Sequence, residues 1–227
     1  MANDYRNFLR VLTQERSGSP VLFEPLVDPA ICERLIWRRG PQLWDTPAHY
    51  ADTLLSLRAL LEADVLALDL RRFDVNRSAR LLAYAAQALP EALRVVALCG
   101  GAEQQALAEQ AACVCAVAGF GPRTGPDCKP FIRMDGAVRE AVREGAAGYF
   151  VRSDVEALLA CRPDVALLGG LGLDWLNASP PRAIYDRCAA LFASTGNRGF
   201  ALGSGGLGAP TEYLPFISML GVYIRSR

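Results

Sequence analysis

DVLALDL (residues 64–70), NRSARLLAYAAQAL (76–89) and RVVALC (94–99) follow one another in the chain and decide its fold class. The first and third segments are short apolar runs, which is typical of strands covered on both faces. The middle segment repeats its apolar residues at helical spacing. A strand, a helix and a second strand in this order predict two parallel strands joined by a crossover helix.

The same alternation continues in both directions along the chain. Further strands are predicted at residues 21–27, 113–118, 131–134, 147–151, 165–168 and 199–204. Helices are predicted at residues 102–111, 136–144 and 211–224, and after the capping positions Thr46, Ser153 and Ser179.

Eight strands separated by helices indicate a compact (β/α)₈ TIM-type barrel that forms a single domain over residues 1–227. The loops should be short, because a typical barrel has roughly 250 residues and this chain has 227. The weakest strand is 131–134. Without it, an open doubly wound sheet would be the alternative.

Charge and rare residues exclude several function classes. The chain has 24 basic and 24 acidic residues, so nothing favours nucleic acid or an anionic membrane as a partner. A single histidine, His49, excludes a site with several histidine ligands, and any histidine-assisted nucleophile would have to use it. Lys129 is the only lysine and therefore the only candidate for Schiff-base chemistry.

Cysteine usage and hydropathy predict the compartment. The seven cysteines form no C-x-x-C pair, and the chain shows no N-terminal apolar signal segment. No window approaches the roughly 18 apolar residues of a membrane span. We therefore expect reduced thiols in a cytoplasmic protein that does not enter a membrane.

Charged residues follow several predicted strands, where a barrel places its functional groups. Asp69 interrupts an apolar run near its end, so it is a candidate general acid or an anchor for a cationic group. Arginines follow four strands at Arg71, Arg123, Arg133 and Arg152, and converging guanidinium groups favour an anionic ligand. The alternative is that these arginines form ion pairs with neighbouring carboxylates, Arg71 and Arg72 with Asp69 or Asp74 and Arg152 with Asp154.

Two glycine-rich stretches, residues 169–172 and 203–208, resemble phosphate-binding loops. Neither completes a known phosphate-binding pattern, so we interpret both as tight turns.

Three longer stretches carry a family resemblance. They are YRNFLRVLTQERSGSPVLFEP (5–25), YFVRSDVEALLACRPDVALLGGLGLDWLNASPPRAIYDRC (149–188) and GFALGSGGLGAPTEYLPF (199–216), together with Asp135-Gly136 after a short strand. The chain thus resembles the uroporphyrinogen decarboxylase superfamily, which includes the corrinoid-dependent methyltransferases. The resemblance implies a barrel fold.

The resemblance also implies roles for individual residues. Asp69 matches the aspartate with which the decarboxylases hold the pyrrole nitrogens of a tetrapyrrole. The arginines of the family's opening segment are absent from residues 24–28, and the histidine of its last turn is replaced by residues 204–206. The methyltransferases bind zinc through a His-x-Cys pair and a later cysteine. In this chain the His-x-Asp-Gly position of related members reads Arg133-Met134-Asp135-Gly136, and the corresponding glycine-rich strand ends lack cysteine. We therefore expect neither a metal nor another cofactor in this chain.

Three functions follow from the resemblance. The first is a metal-free decarboxylase that binds tetrapyrrole carboxylates or another small anionic molecule, with Asp69 as the catalytic residue. Its substrate would be bound by Glu24, Arg71, Arg133, Asp135, Arg152 and Ser204. The second is a methyltransferase that acts with a corrinoid protein as partner. The third is a non-catalytic barrel that has lost the family's reaction. A homodimer is possible for each of the three.

Overall fold

A computed structural model of the chain describes residues 5–24, 27–36, 46–61, 63–64, 66–88, 95–111, 115–118, 131–133, 148–151, 153–161, 164–204 and 209–226. The strands are β1 (Leu66–Asp69), β2 (Val95–Cys99), β3 (Cys115–Ala118), β4 (Phe131–Arg133), β5 (Gly148–Val151), β6 (Ala166–Gly170) and β7 (Phe200–Gly203). The helices are α1 (Tyr5–Leu12), α2 (Pro29–Ile36), α3 (Pro47–Leu61), α4 (Val75–Ala88), α5 (Ala102–Gln110), α6 (Val155–Cys161), α7 (Leu173–Ala178), α8 (Pro181–Thr195) and α9 (Tyr213–Ser226).

The strands pair in chain order. β1, β2 and β3 form one parallel sheet, and β4, β5, β6 and β7 form a second. A doubly wound sheet reverses its strand order at a switch point, whereas a barrel keeps neighbours in sequence. The described pairings confirm a parallel α/β fold and favour the barrel order, while closure of the two sheets into one barrel stays a prediction.

The first predicted strand, residues 21–27, is shorter than expected. It forms a single parallel bridge between Leu22 and Leu202, with a hydrogen bond from the Phe23 amide to the Leu202 carbonyl at 2.8 Å. A side chain at Gly203 would collide with the Phe23 carbonyl oxygen, so the two backbones approach closely there.

Most other boundaries agree with the sequence patterns to within one or two residues. Thr46 caps α3 as predicted, because its Oγ1 accepts a hydrogen bond from the His49 amide at 3.2 Å. Two helices, α2 and α7, lie where the sequence patterns predict no helix, whereas α1 lies where the family resemblance of residues 5–25 implies an opening helix. The predicted helix 136–144 and Lys129 lie outside the described residues. None of the described helices is both long and apolar enough to cross a membrane.

A buried charged group lies just before β1, at the edge away from the strand C-termini. Asp64 is fully buried, its carboxylate accepts a hydrogen bond from Asn7 at 3.3 Å, and its carbonyl lies 3.5 Å from Nη2 of Arg58. Burial lowers the pKa of Arg58. Because these groups bond to one another away from the carboxyl ends of the strands, we assign the cluster a structural role.

Candidate functional site

The carboxyl ends of paired parallel strands lie at the same edge of their sheet, which brings distant parts of the chain together. β1 ends at Asp69, beside Leu98 of β2. β6 and β7 end together at Gly170 and Gly203, and Glu24 follows the segment that runs beside β7. Within the described ranges, these strand ends carry an ion pair, a hydrogen-bonded pair and a cavity.

Asp69 is held by the two arginines that follow it. Its side chain is almost fully buried, and Arg71 donates from Nε to Oδ1 at 2.6 Å and from Nη2 to Oδ2 at 3.1 Å. Nε of Arg72 lies 3.5 Å from Oδ2. Hydrogen bonding to Asp69 raises the pKa of Arg71 further. Because both carboxylate oxygens are occupied, Asp69 in this state is a hydrogen-bond acceptor and not an available base.

Tyr50 lies beneath this pair. It is buried, and its hydroxyl oxygen accepts a hydrogen bond from the Asp69 amide at 2.9 Å. Its ring packs edge-on against Phe73, and the Arg72 guanidinium lies 5.9 Å from the ring centroid. Burial raises the pKa of Tyr50, so the phenol stays protonated at neutral pH. Tyr50 therefore fixes the backbone at the point where β1 ends.

Gln104 fixes the loop that carries the two arginines. Its Oε1 accepts a hydrogen bond from the Gly100 amide at 2.7 Å. Its Nε2 donates to the carbonyls of Leu70 and Phe73 at 2.7 and 2.8 Å and to Ser78 Oγ at 3.0 Å. The side chain is buried, so these bonds are protected from water. The start of α5 thus sets the position of residues 70–73.

Glu24 and Ser204 form the second pair. The amide and the hydroxyl of Ser204 both donate to the Glu24 carboxylate, at 2.7 Å and 2.8 Å. Ser204 is fully buried, and Glu24 is partly exposed. These two hydrogen bonds connect the end of β7 to the N-terminal segment.

A cavity of about 400 Å³ opens at the ends of β5 and β6. Its lining comprises Ser153, Gly170, Gly172, Leu173, Asp174, Trp175 and Arg187. Arg187 donates to Glu156 from both terminal nitrogens, at 2.7 and 3.1 Å. Burial acts to raise the pKa of Glu156, but the hydrogen bonds and charge of Arg187 outweigh it, and the pKa lies below its usual range. Trp175 is 41% exposed.

The structure joins the sequence-predicted residues in two pairs, Asp69 with Arg71 and Glu24 with Ser204. Arg71 therefore forms the ion pair that the sequence left as the alternative, and its guanidinium group is not a free anion site. Arg133 ends β4, but its side chain is not described. Arg123, Asp135 and Arg152 lie outside the described residues.

Sequence reasoning missed Tyr50, Gln104, Trp175 and Arg187. Tyr50 and Gln104 looked like ordinary helix residues, because their partners are distant in sequence. Trp175 follows the glycine-rich stretch 169–172, which the sequence pattern indicates only as a turn. The available signal is the tryptophan three residues after Gly172, since glycines leave space beside an aromatic ring.

Comparisons with known proteins support the fold. No protein-family model and no curated protein sequence matches the chain. The chain resembles the solved structure of a methyltransferase from Methanosarcina mazei with a TM-score of 0.70, at 9% identity, over 96% of this chain and 97% of that chain. Structural similarity at such low sequence identity indicates a shared fold. It does not by itself indicate a shared function.

Two weaker structural matches are N-acetylneuraminate lyases. The enzyme from Mycoplasma synoviae matches with a TM-score of 0.38 at 13% identity, over 82% of this chain and 66% of that chain. The enzyme from Fusobacterium nucleatum matches with a TM-score of 0.36 at 9% identity, over 68% and 60%.

Proposed function

We propose that this chain is a cytoplasmic methyltransferase of the uroporphyrinogen decarboxylase superfamily, formed by a single closed barrel domain of residues 1–227. A separate corrinoid protein is its partner in methyl transfer. The observation that carries the proposal is the structural match to the Methanosarcina mazei methyltransferase, which extends over nearly all of both chains. The family resemblance of residues 149–188 and 199–216 supports it independently.

Asp69, Arg71 and Arg72, which we call the Asp69 cluster, would bind an anionic group of the substrate at the end of β1. Arg71 and Arg72 are bound to Asp69, yet their side chains remain 29% and 38% exposed. A carboxylate, sulfonate or phosphate on a small substrate can therefore approach the guanidinium groups from the solvent side. Asp69 then acts as a positioning residue, because it holds the arginines in place. Arg133 and Arg152 are further candidates for the same ligand.

Zinc has no fitting site among the described residues. Within those ranges, no three histidine, cysteine, aspartate or glutamate side chains come together as a metal-binding group. The residues of this chain bind and orient the substrate by charge and hydrogen bonding.

Methyl transfer to a corrinoid tests the proposal. The purified protein is incubated with reduced cobalamin and a panel of small methylated acids, with and without added zinc, and the visible absorbance of the corrinoid is followed. We expect methylation in both conditions, and Arg71→Gln should raise KM more than it lowers kcat because Arg71 binds the anionic group. Absence of methyl transfer in every condition would overturn the proposal.

The second candidate is the metal-free decarboxylase. It is favoured by the position of Asp69 at the end of β1 with two arginines beside it. Incubation with uroporphyrinogen should then release carbon dioxide, and Asp69→Asn should abolish the release. If no carboxylate is lost and no porphyrin binds, this candidate fails. Failure of both assays leaves the non-catalytic barrel.

A further inference from the structure

The cavity at the ends of β5 and β6 differs in character from the Asp69 cluster. Gly170 and Gly172 contribute no side chains to its wall, and Leu173 and Trp175 give it an apolar surface. Its volume of about 400 Å³ lies within the range of small-molecule sites. Neither the family resemblance nor the proposed methyl transfer assigns a role to this cavity.

Among the described residues, the charges around the cavity leave one carboxylate unmatched. The positive charge of Arg187 is matched by Glu156, whose two oxygens accept both hydrogen bonds. Asp174 also lines the cavity, and none of the described residues forms a hydrogen bond or an ion pair with it. The Ser153 hydroxyl donates to Asp154, which adds a second carboxylate beside the opening. Among the described side chains, the cavity therefore carries negative charge.

We infer that this cavity binds a small organic cation, an ammonium group that carries apolar substituents. The electron-rich face of an indole attracts such a cation, and Trp175 is next to the unmatched carboxylate of Asp174. The apolar substituents would lie against Leu173 and the glycine wall. The inference stands apart from the proposed function, because binding in this cavity is measured without any methyl transfer.

Three test ligands of nearly equal shape distinguish the effect of charge on binding from the effect of shape. Choline is the cation, 3,3-dimethylbutan-1-ol replaces its nitrogen with carbon, and 3,3-dimethylbutanoate is an anion of similar size. Binding is measured by ligand-observed NMR titration of the intact protein. We expect choline to bind about fivefold more tightly than the neutral alcohol, with the anion weakest, and the preference should shrink as salt is added.

The anion also tests the opposite charge preference. Arg152, which the sequence indicated as an anion ligand, precedes Ser153 and lies outside the described residues. If the anion binds best, or if choline binds no better than the neutral alcohol, the inference is wrong. Methyl-transfer results do not enter this comparison, so it can fail while the proposed function survives.

Two variants and one control locate the binding. Asp174→Asn removes the charge and should reduce choline affinity about fivefold, with no effect on the neutral alcohol. Trp175→Leu removes the ring and should weaken choline by a similar factor. Both side chains are exposed, so both variants should fold. Glu103→Gln removes an exposed carboxylate on α5 and should leave choline binding unchanged. Equal effects of the control and Asp174→Asn would contradict the inference.

Discussion

Arg71 binds both carboxylate oxygens of Asp69, with Nε 2.6 Å from Oδ1 and Nη2 3.1 Å from Oδ2. The two residues are separated by one position, at the end of a buried strand. The sequence indicates Asp69 as a candidate general acid, but in the structure its carboxylate holds the side chains of Arg71 and Arg72. Any ligand that Arg71 binds must compete with Asp69 or share the guanidinium with it.

Replacement of Asp69 by asparagine should destabilise the protein. Breaking a buried ion pair costs about 3–5 kcal/mol, but here both arginines are partly exposed to solvent. Solvent screening reduces the expected loss to about 1–2 kcal/mol in the free energy of unfolding, measured by urea denaturation. The control is Asp186→Asn, which breaks the exposed Arg182 pair at 3.1 Å and should cost less than about 0.5 kcal/mol. Equal losses would show that the burial of Asp69 contributes nothing.

Glu24 and Ser204 should be energetically coupled. The variants Ser204→Ala and Glu24→Gln each remove part of a bond between β7 and the N-terminal segment. A double-mutant cycle on unfolding free energy should give a coupling of about 1 kcal/mol. Pairing Glu24→Gln with Ser218→Ala, whose hydroxyl bonds only within α9, should be additive within about 0.5 kcal/mol. Additivity in the first cycle would contradict the contact.

The alternation of strands and helices could be read from the sequence because buried parallel strands leave continuous apolar runs. The segment 64–70 and β1 agree for this reason. The location of the candidate site at the carboxyl ends of the strands could also be predicted, since neighbouring parallel strands end at the same edge of their sheet. Asp69 was found because a charge in an apolar run is costly, but a ligand site and an ion pair produce the same pattern.

Other features depend on partners far along the chain. Gln104 bonds to residues 26 to 34 positions away, so no local pattern reveals it. The short pairing of residues 21–24 depends on how closely β7 approaches at Gly203. The cavity arises from residues on β6, α7 and α8 that meet only in the folded protein.

Gly170 should tolerate alanine less well than Gly196 does. Both have positive φ, 91° and 56°. A Cβ at Gly170 would lie 3.1 Å from Leu191 and Val155, whereas at Gly196 it would meet no atom within 4 Å. Gly196→Ala should therefore cost about 1 kcal/mol from backbone strain alone. Gly170→Ala should cost about 2–4 kcal/mol because overpacking is added. Thermal and urea unfolding of the two variants compares them, and a larger loss for Gly196→Ala would contradict the packing.

Cys32 and Cys188 should resist alkylation in the folded protein. Both thiols are buried, and burial raises the pKa of each to about 12. At pH 8 only about one thiol in ten thousand would then be ionised, and the thiolate is the reactive form. Iodoacetamide labelling followed by peptide mass spectrometry should find both unmodified until urea unfolds the chain. The raised pKa also means that stability present below about pH 8.5 falls as the pH rises toward 12, because the unfolded thiols lose their protons first. Equal labelling rates with and without urea would show that these thiols are not buried.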